Sequence, residues 1–181
     1  MSFPSFASGD VLTAADMNAV GLWKVASGTL SLTTTATNVT GVFSGTYKQY
    51  RVLFNVTARS TSNRVDLRYI VGTTPQTSGY YNAGIGSDYT ANTSVYYQRS
   101  NNDILLFGAL TTGPLTMSLD IYNANKSGVA TLHQGNVVDR DTGYAYAIGG
   151  VNTATSQFTG FQLITSTGTA TVEYQVFGYQ N

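Results

Sequence analysis

The chain has 181 residues, with nine Lys and Arg against nine Asp and Glu, one His and no Cys. A length of this order suits one domain with a core of its own, and the lack of cysteine excludes a disulfide scaffold, a thiolate zinc site and a cysteine nucleophile. Zero net charge argues against a nucleic-acid binder, which needs a basic face, and a charged fraction of only 10% leaves the surface to Ser, Thr, Asn, Gln and Tyr.

The one helix that the sequence predicts lies near the start of the chain, over residues 10–21. Thr13 followed by Asp16 matches the acidic form of a capping box, and Gly21 suits the position just after a helix. A helix of about two turns is not stable alone in water. It therefore needs a partner surface, either on its own domain or on another chain.

Two aromatic side chains, Phe3 and Phe6, stand ahead of this helix in an extended stretch set by Pro4. No basic region and no apolar run mark residues 1–8, so we expect no secretory leader and a chain that begins at its own initiator methionine. No window of the sequence approaches the roughly 18 consecutive apolar residues of a membrane span.

The pattern from Leu22 onward is that of an all-β protein. Apolar and polar residues alternate in short runs rich in β-branched and aromatic residues, and Gly, Asn and Pro turn signals separate the runs at the spacing of an antiparallel sandwich or barrel. We predict an antiparallel, jelly-roll-like β-sandwich over 26–181, preceded by an N-terminal arm with a short helix over 1–25. The predicted strands are 22–25, 37–43, 50–56, 65–71, 94–99, 103–107, 115–122, 128–138, 144–148, 158–165 and 170–179.

One stretch, residues 73–93, lacks a core pattern and is rich in Gly, Ser, Thr, Asn and Tyr. Loops of this length inside a compact domain are usually functional or mobile, and this composition is typical of a recognition surface. The alternative for each tyrosine is packing between strands or between subunits. The candidate receptor-binding residues in and around the stretch are Tyr80, Tyr81, Tyr89, Tyr96 and Tyr97.

The residues that could carry chemistry are few. His133 stands in a predicted strand, where it is more often a residue facing water or a neighbour than a general base or metal ligand. Asp139 and Asp141 form the one close carboxylate pair, and Arg140 and Gly143 favour a turn there over a metal site or a catalytic pair. The sequence therefore predicts no catalytic residues, no metal site and no cofactor, and we expect no enzyme.

The opening segment, FASGDVLTAADMNAV over 6–20 followed by Leu22 and Trp23, resembles the N-terminal segment of many tailed-bacteriophage virion proteins. The body is similar to a broad group of phage β-sandwich proteins of the same kind. The stretches that carry this second resemblance are 45–52 (GTYKQYRV), 57–60 (TARS), 66–69 (DLRY), 119–126 (LDIYNANK) and 169–179 (TATVEYQVFGY).

The resemblance implies a non-enzymatic structural protein of a virion, made in the host cytoplasm and assembled as a homo-oligomer, with a trimer favoured. Its partners would be other virion proteins of the tail or capsid, and neither nucleic acid nor a membrane is expected. A capped helix with flanking aromatic residues suits docking onto a shared platform. The residues expected to make buried anchoring or oligomer contacts are Phe3, Phe6, Leu12, Met17, Leu22 and Trp23.

Three functions fit these expectations. The first is a tail-fibre, tail-tip or head-fibre subunit that is anchored by its N-terminal segment and exposes its sandwich for adhesion to host-surface glycans. The second is a capsid decoration or cement protein that clamps neighbouring capsid subunits. The third is a polysaccharide depolymerase, for which the only candidate carboxylates are Asp139 and Asp141.

Overall fold

The structure, a computed structural model, has thirteen strands in two antiparallel sheets over the residues that it describes. It describes residues 21–61, 64–88, 93–101, 104–107, 113–140 and 143–179, with the backbone alone for 93–101 and 104–107. The strands are β1 (Leu22–Leu32), β2 (Thr37–Val39), β3 (Gln49–Arg59), β4 (Val65–Val71), β5 (Thr74–Pro75), β6 (Tyr80–Asp88), β7 (Thr93–Asn101), β8 (Ile104–Phe107), β9 (Leu115–Tyr122), β10 (Thr131–Asp139), β11 (Tyr144–Asn152), β12 (Gly160–Thr165) and β13 (Ala170–Tyr179).

The larger sheet has eight strands in the order β1-β13-β3-β9-β10-β11-β6-β7, and the smaller has the order β2-β12-β4-β5 with β8 also paired to β4. Every described pairing is antiparallel. The all-β, antiparallel prediction is therefore confirmed, and the two sheets enclose one core in the manner of a sandwich. Within the described ranges, no helix has the length and apolar character that crossing a membrane requires.

The core follows from the alternation of the central strands. Tyr50, Val52 and Phe54 of β3 are buried, as are the alternate residues 115, 117, 119 and 121 of β9. The smaller sheet contributes Leu67 and Tyr69 to the same cluster. A fully buried side chain of this kind contributes about 1.5–3 kcal/mol. The hydrophobic effect therefore fixes which face of each strand is inward.

Aromatic rings cross the gap between the sheets. Phe161 of β12 lies edge-on to Phe54 and to Tyr174 of the larger sheet, with ring centroids 5.6 and 5.8 Å apart. Tyr69 of β4 stacks on Tyr80 of β6 in the larger sheet, with ring centroids 5.9 Å apart. Such contacts add about 0.5–1.5 kcal/mol each beyond the area they bury, so the two sheets are held in one relative position by shape as well as by burial.

The predicted strands 65–71, 115–122 and 170–179 match β4, β9 and β13 residue for residue. The prediction over 37–43 runs too far, because β2 ends at Val39. Val42 and Phe43 are nonetheless buried, and their amides both donate to the Thr159 carbonyl, at 3.0 and 3.1 Å. They are apolar because the core covers them, not because they are in a strand.

The prediction of a long loop over 73–93 is wrong. The segment contains the short strand β5 and the nine-residue strand β6, which pairs with β11 along its whole length. The predicted division after residue 25 falls inside β1, so residues 22–25 belong to the larger sheet. Of the predicted helix, all but Gly21 lies outside the described residues.

Candidate binding surface

The larger sheet turns one side to the core and the other away from it, and we call the second side the outer face. Because side chains alternate along a strand and cross-strand partners share a side, the register places four rows of residues there. The rows run across seven strands. The outer face comprises Tyr81, Ala83, Ile85 and Ser87 of β6; Ala145, Ala147, Gly149 and Val151 of β11; Leu132, Gln134, Asn136 and Val138 of β10; Thr116, Ser118, Asp120 and Tyr122 of β9; Gln49, Arg51, Leu53 and Asn55 of β3; Glu173, Gln175, Phe177 and Tyr179 of β13; and Leu22, Lys24, Ser27 and Thr29 of β1.

Charge on the outer face is sparse, and two of its four charged side chains pair with each other. Arg51 and Asp120, cross-strand neighbours, form a two-pronged ion pair in which Nε and Nη2 donate to the two carboxylate oxygens at 2.8 and 2.7 Å. The hydrogen bond to Asp120 raises the pKa of Arg51, so the guanidinium stays charged. The other charged members are Lys24 and Glu173. Most of the face therefore offers hydrogen-bonding or apolar groups without net charge.

The part of the outer face on β6, β11 and β10 has no charged member, and we call it the neutral half. Tyr81, Ile85, Leu132 and Val138 are each about half exposed there, at 53%, 58%, 49% and 48%. Alanine and glycine separate them along β11, which makes this part of the face low in relief. Exposed apolar side chains grouped in this way mark an interaction surface.

A second part of the outer face, which overlaps the neutral half at Asn136 and Val138 of β10, is concave. An open groove of about 710 Å³ runs across β1, β13, β3, β9 and β10, and we call it the polar groove. Its volume falls in the range of small-molecule sites, about 300–1,000 Å³. The outward side chains along it are mostly hydroxyls and amides, among them Ser27, Thr29, Asn55, Thr116, Asn136 and Gln175.

One carboxylate lies in the polar groove. Glu173 is the cross-strand partner of Asn55, whose Nδ2 donates to Oε2 of Glu173 at 3.0 Å. Leu53 and Val138 supply the apolar outward side chains of the groove. The groove can therefore donate and accept hydrogen bonds along its length. Its single negative charge, on Glu173, lies on β13, the second of the five strands that the groove crosses.

The predicted receptor-binding tyrosines do not form one surface. Tyr80 is 1% exposed and its hydroxyl accepts a hydrogen bond from the Tyr69 amide at 2.8 Å, so Tyr80 is a core residue and the prediction of a receptor contact there is wrong. Tyr81, its neighbour in the chain, points to the opposite side and is exposed. Tyr96 and Tyr97 are on β7 opposite Ile85 and Gly84 in register, without described side chains, and Tyr89 lies outside the described residues.

The predicted anchoring residues are only partly described. Phe3, Phe6, Leu12 and Met17 lie outside the described residues. Leu22 is exposed at the start of β1, and Trp23, on the opposite side of the strand, is half-buried beside Gly178. The indole Nε1 of Trp23 is buried and has no hydrogen-bond acceptor among the described residues.

His133 is buried inside the protein and faces neighbouring side chains, which is one of the two positions expected for it, the other being exposure to water. Its Nε2 lies 2.6 Å from Oδ1 of Asn82 and its Nδ1 lies 3.3 Å from the Tyr69 hydroxyl. Since the amide oxygen only accepts, Nε2 carries the proton and Nδ1 accepts from Tyr69. Burial lowers the pKa of His133 to about 4, so the ring is neutral at pH 7 and joins β10 to β6 and β4. This position suits a structural role.

Asp139, the one described member of the carboxylate pair singled out in the sequence, does not line the polar groove. Asp139 ends β10 and is buried, with Oδ2 3.7 Å from Nη2 of the fully buried Arg59. Arg59 also donates from Nε to the Gly113 carbonyl at 3.0 Å. Asp141 lies outside the described residues. Within the described ranges, no group of three or more His, Cys, Asp and Glu side chains is placed to hold a metal ion.

No known family model matches the chain, and no curated protein matches it either.

The polar groove could not be predicted from the sequence. Its residues are Ser, Thr, Asn and Gln at outward positions of strands. In the sequence, each of them alone indicates only a solvent-exposed position. The one sequence feature that points to the groove is that several strands carry polar, mostly uncharged residues at alternate positions. Examples are TLSL over 29–32 and TVEYQV over 171–176. The order of the strands in the sheet, which brings these segments side by side, cannot be predicted from the sequence.

Proposed function

We propose that this protein is a non-enzymatic structural subunit of a bacteriophage particle, a tail-fibre, tail-tip or head-fibre component that exposes its sandwich for adhesion to host-surface glycans. The observation that carries the adhesive part is the outer face, which combines exposed apolar side chains in the neutral half with a hydrogen-bonding groove whose one charged side chain is Glu173. Such a surface suits recognition of a partner that is itself neutral and hydroxyl-rich.

The assignment to a phage particle depends on the resemblance of residues 6–20 to the opening segment of tail and head-surface proteins. In this proposal the segment ahead of β1 anchors the subunit through a short helix, the strands from β1 onward form a jelly-roll-like sandwich, and the subunits assemble as trimers on the virion. The half-buried Trp23 at the start of β1 lies where such an arm would join the sheet.

Labelling the chain on intact particles tests this proposal. A short peptide tag would be inserted at the exposed turn around Gly128, where added atoms at the glycine meet nothing within 4 Å, and particles carrying it would be imaged with a gold-conjugated antibody. We expect label on the tail tip, a fibre or the head surface. Purified particles without the chain would contradict the proposal.

The exposed side chains of the neutral half also suit contact with another protein, so a capsid decoration or cement role is the second candidate. It predicts many copies per particle and loss of particle stability, with adsorption to cells unchanged, when the chain is removed. A depolymerase is disfavoured, because Asp139 is buried against Arg59 instead of lining a groove. Unchanged glycan turnover on replacing both Asp139 and Asp141 with Asn would remove that candidate.

A further inference from the structure

We infer that the polar groove is the binding site for a neutral oligosaccharide chain. In this inference the groove, and not the exposed Tyr81, gives the adhesion its specificity. The inference rests on the proposed adhesive function and deepens it by naming the site and the ligand class. It follows from the shape of the groove, from the hydrogen-bonding groups along it and from its charge.

The shape of the groove fits a chain instead of a compact ligand. It crosses five neighbouring strands, β1, β13, β3, β9 and β10. With strands about 4.8 Å apart, four spacings give a length of about 19 Å. A linear oligosaccharide of several units can lie along such a groove, with each unit near the side chains of one or two strands.

The hydrogen-bonding groups of the groove match those of sugars. A sugar hydroxyl both donates and accepts, and so do the hydroxyls of Ser27 and Thr116 and the amide of Asn136. The main-chain groups of β13, β3, β9 and β10 are used in the sheet ladder on both sides of each strand, so an extended peptide could not add as a further strand between them and side chains must do the recognising across the groove. Leu53 and Val138 offer apolar contact to the C–H faces of sugar rings.

The charge of the groove selects among sugars and excludes other polymers. No Lys or Arg is among the described residues that line it, so it has no cation for a phosphate backbone or an acidic sugar. Arg51, one row away, is already paired with Asp120. Glu173 places a negative charge in the groove, which disfavours uronic and sialic acids by repulsion. The ligand class that remains is a neutral oligosaccharide.

The test uses the full chain and an array of short oligosaccharides built from glucose, galactose, mannose and N-acetylated hexosamines, with uronic-acid and sialylated counterparts on the same array. We expect binding to neutral members, quantified by calorimetry with the best of them. Asn136→Ala should weaken that binding about tenfold, as loss of one well-made hydrogen bond implies. Gln134→Ala is the matched control: an exposed amide on the same strand and side, one row outside the groove, which should change the dissociation constant less than twofold.

A second variant tests the charge argument. Glu173→Gln keeps a hydrogen-bond acceptor for Asn55 and removes the negative charge. We therefore expect the variant to bind uronic-acid oligosaccharides with an affinity about tenfold higher than that of the parent chain. Its affinity for the neutral ligand should not change. Circular dichroism and the melting temperature establish that each variant folds, as their exposed positions imply.

Three results would overturn the inference. One is the absence of binding to every neutral member of the array, and another is a preference for acidic members. The third is neutral binding that Asn136→Ala leaves intact but Tyr81→Ala abolishes, which would move the site to the neutral half and leave the adhesive function standing. Failure of the proposed function is seen separately, as particles that lack the chain.

Discussion

His133 shows that a sequence can place a residue on a strand and still leave open which side of the sheet it faces. A histidine on an alternating strand has two possible sides, and the pattern around it, LHQG over 132–135, gives no decisive apolar contrast. In the structure it lies on the core side, where Asn82 and Tyr69 satisfy both ring nitrogens. A buried polar group costs several kcal/mol unless it is paired, so these partners are what permits the position.

At the same scale we predict that His133 makes the fold less stable in acid. Its folded pKa of about 4 lies below the ordinary value of 6.5, so below pH 6.5 the unfolded chain takes up the proton first. The contribution is fully present above pH 6.5 and is lost as the pH falls through 4, and the loss amounts to about 3 kcal/mol. Urea unfolding at several pH values measures it.

The matched variant for that experiment is His133→Gln, which keeps hydrogen-bonding groups at the position and does not titrate. The carboxylates contribute equally to both proteins, so the difference between the two curves isolates the histidine. Parallel curves for the parent chain and the variant between pH 7 and 4 would show that the ring does not carry this dependence.

At the scale of elements, β6 explains why a strand was taken for a loop. Its sequence, YYNAGIGSD, is poor in β-branched residues and carries Gly84 and Gly86 on the inward side. A side chain at Gly86 would collide with the Ala145 carbonyl and with Tyr146 of β11, and one at Gly84 would press on Ile148. The glycines are there because β11 approaches closely, a reason that lies in a segment sixty residues away.

The next strand over, β11, offers a prediction with an internal control. A methyl group at Gly150 would lie against the Tyr81 carbonyl, 2.5 Å from Oδ1 of Asn82 and 2.7 Å from Nε2 of His133. Gly150→Ala should therefore lower the free energy of unfolding by about 1–3 kcal/mol, as overpacking does. Urea denaturation and the melting temperature both report this.

Gly149 is the control, because it is adjacent in the chain and faces the other side of the sheet. The nearest atom to a methyl group there is the His133 carbonyl oxygen at 3.8 Å, an ordinary contact. We expect Gly149→Ala to change the stability by less than about 0.5 kcal/mol. Equal losses for the two variants would mean that the crowding at Gly150 relaxes without cost.

At the scale of the whole molecule, low charge has a clear consequence for the surface. With 10% charged residues, the outer face cannot be covered by Lys and Glu, and about half of the surface of Tyr81, Ile85, Leu132 and Val138 is left exposed. Such a chain stays in solution through neutral hydrogen bonding or by covering its apolar surface with another subunit.

We predict that the purified chain sediments as a trimer of about 58 kDa, three times its mass of 19.3 kDa. Ile85→Ser serves as the companion variant, because its side chain is exposed and its loss does not disturb the core. Should the neutral half contribute to the contact, the variant will sediment at a lower mass at the same concentration. A parent chain that sediments as a monomer would contradict the prediction.

The sequence by itself determined the all-β class, the positions of strands such as 65–71, 115–122 and 170–179, and the nearly uncharged surface. These follow from local alternation and composition, which depend on neighbouring residues only. The tertiary structure decided that Tyr80 and His133 are buried, that Tyr81 is exposed, and that residues from five strands form one groove. The physical reason is that alternation fixes which residues share a side of a strand, whereas strand order and sheet packing determine which side is covered.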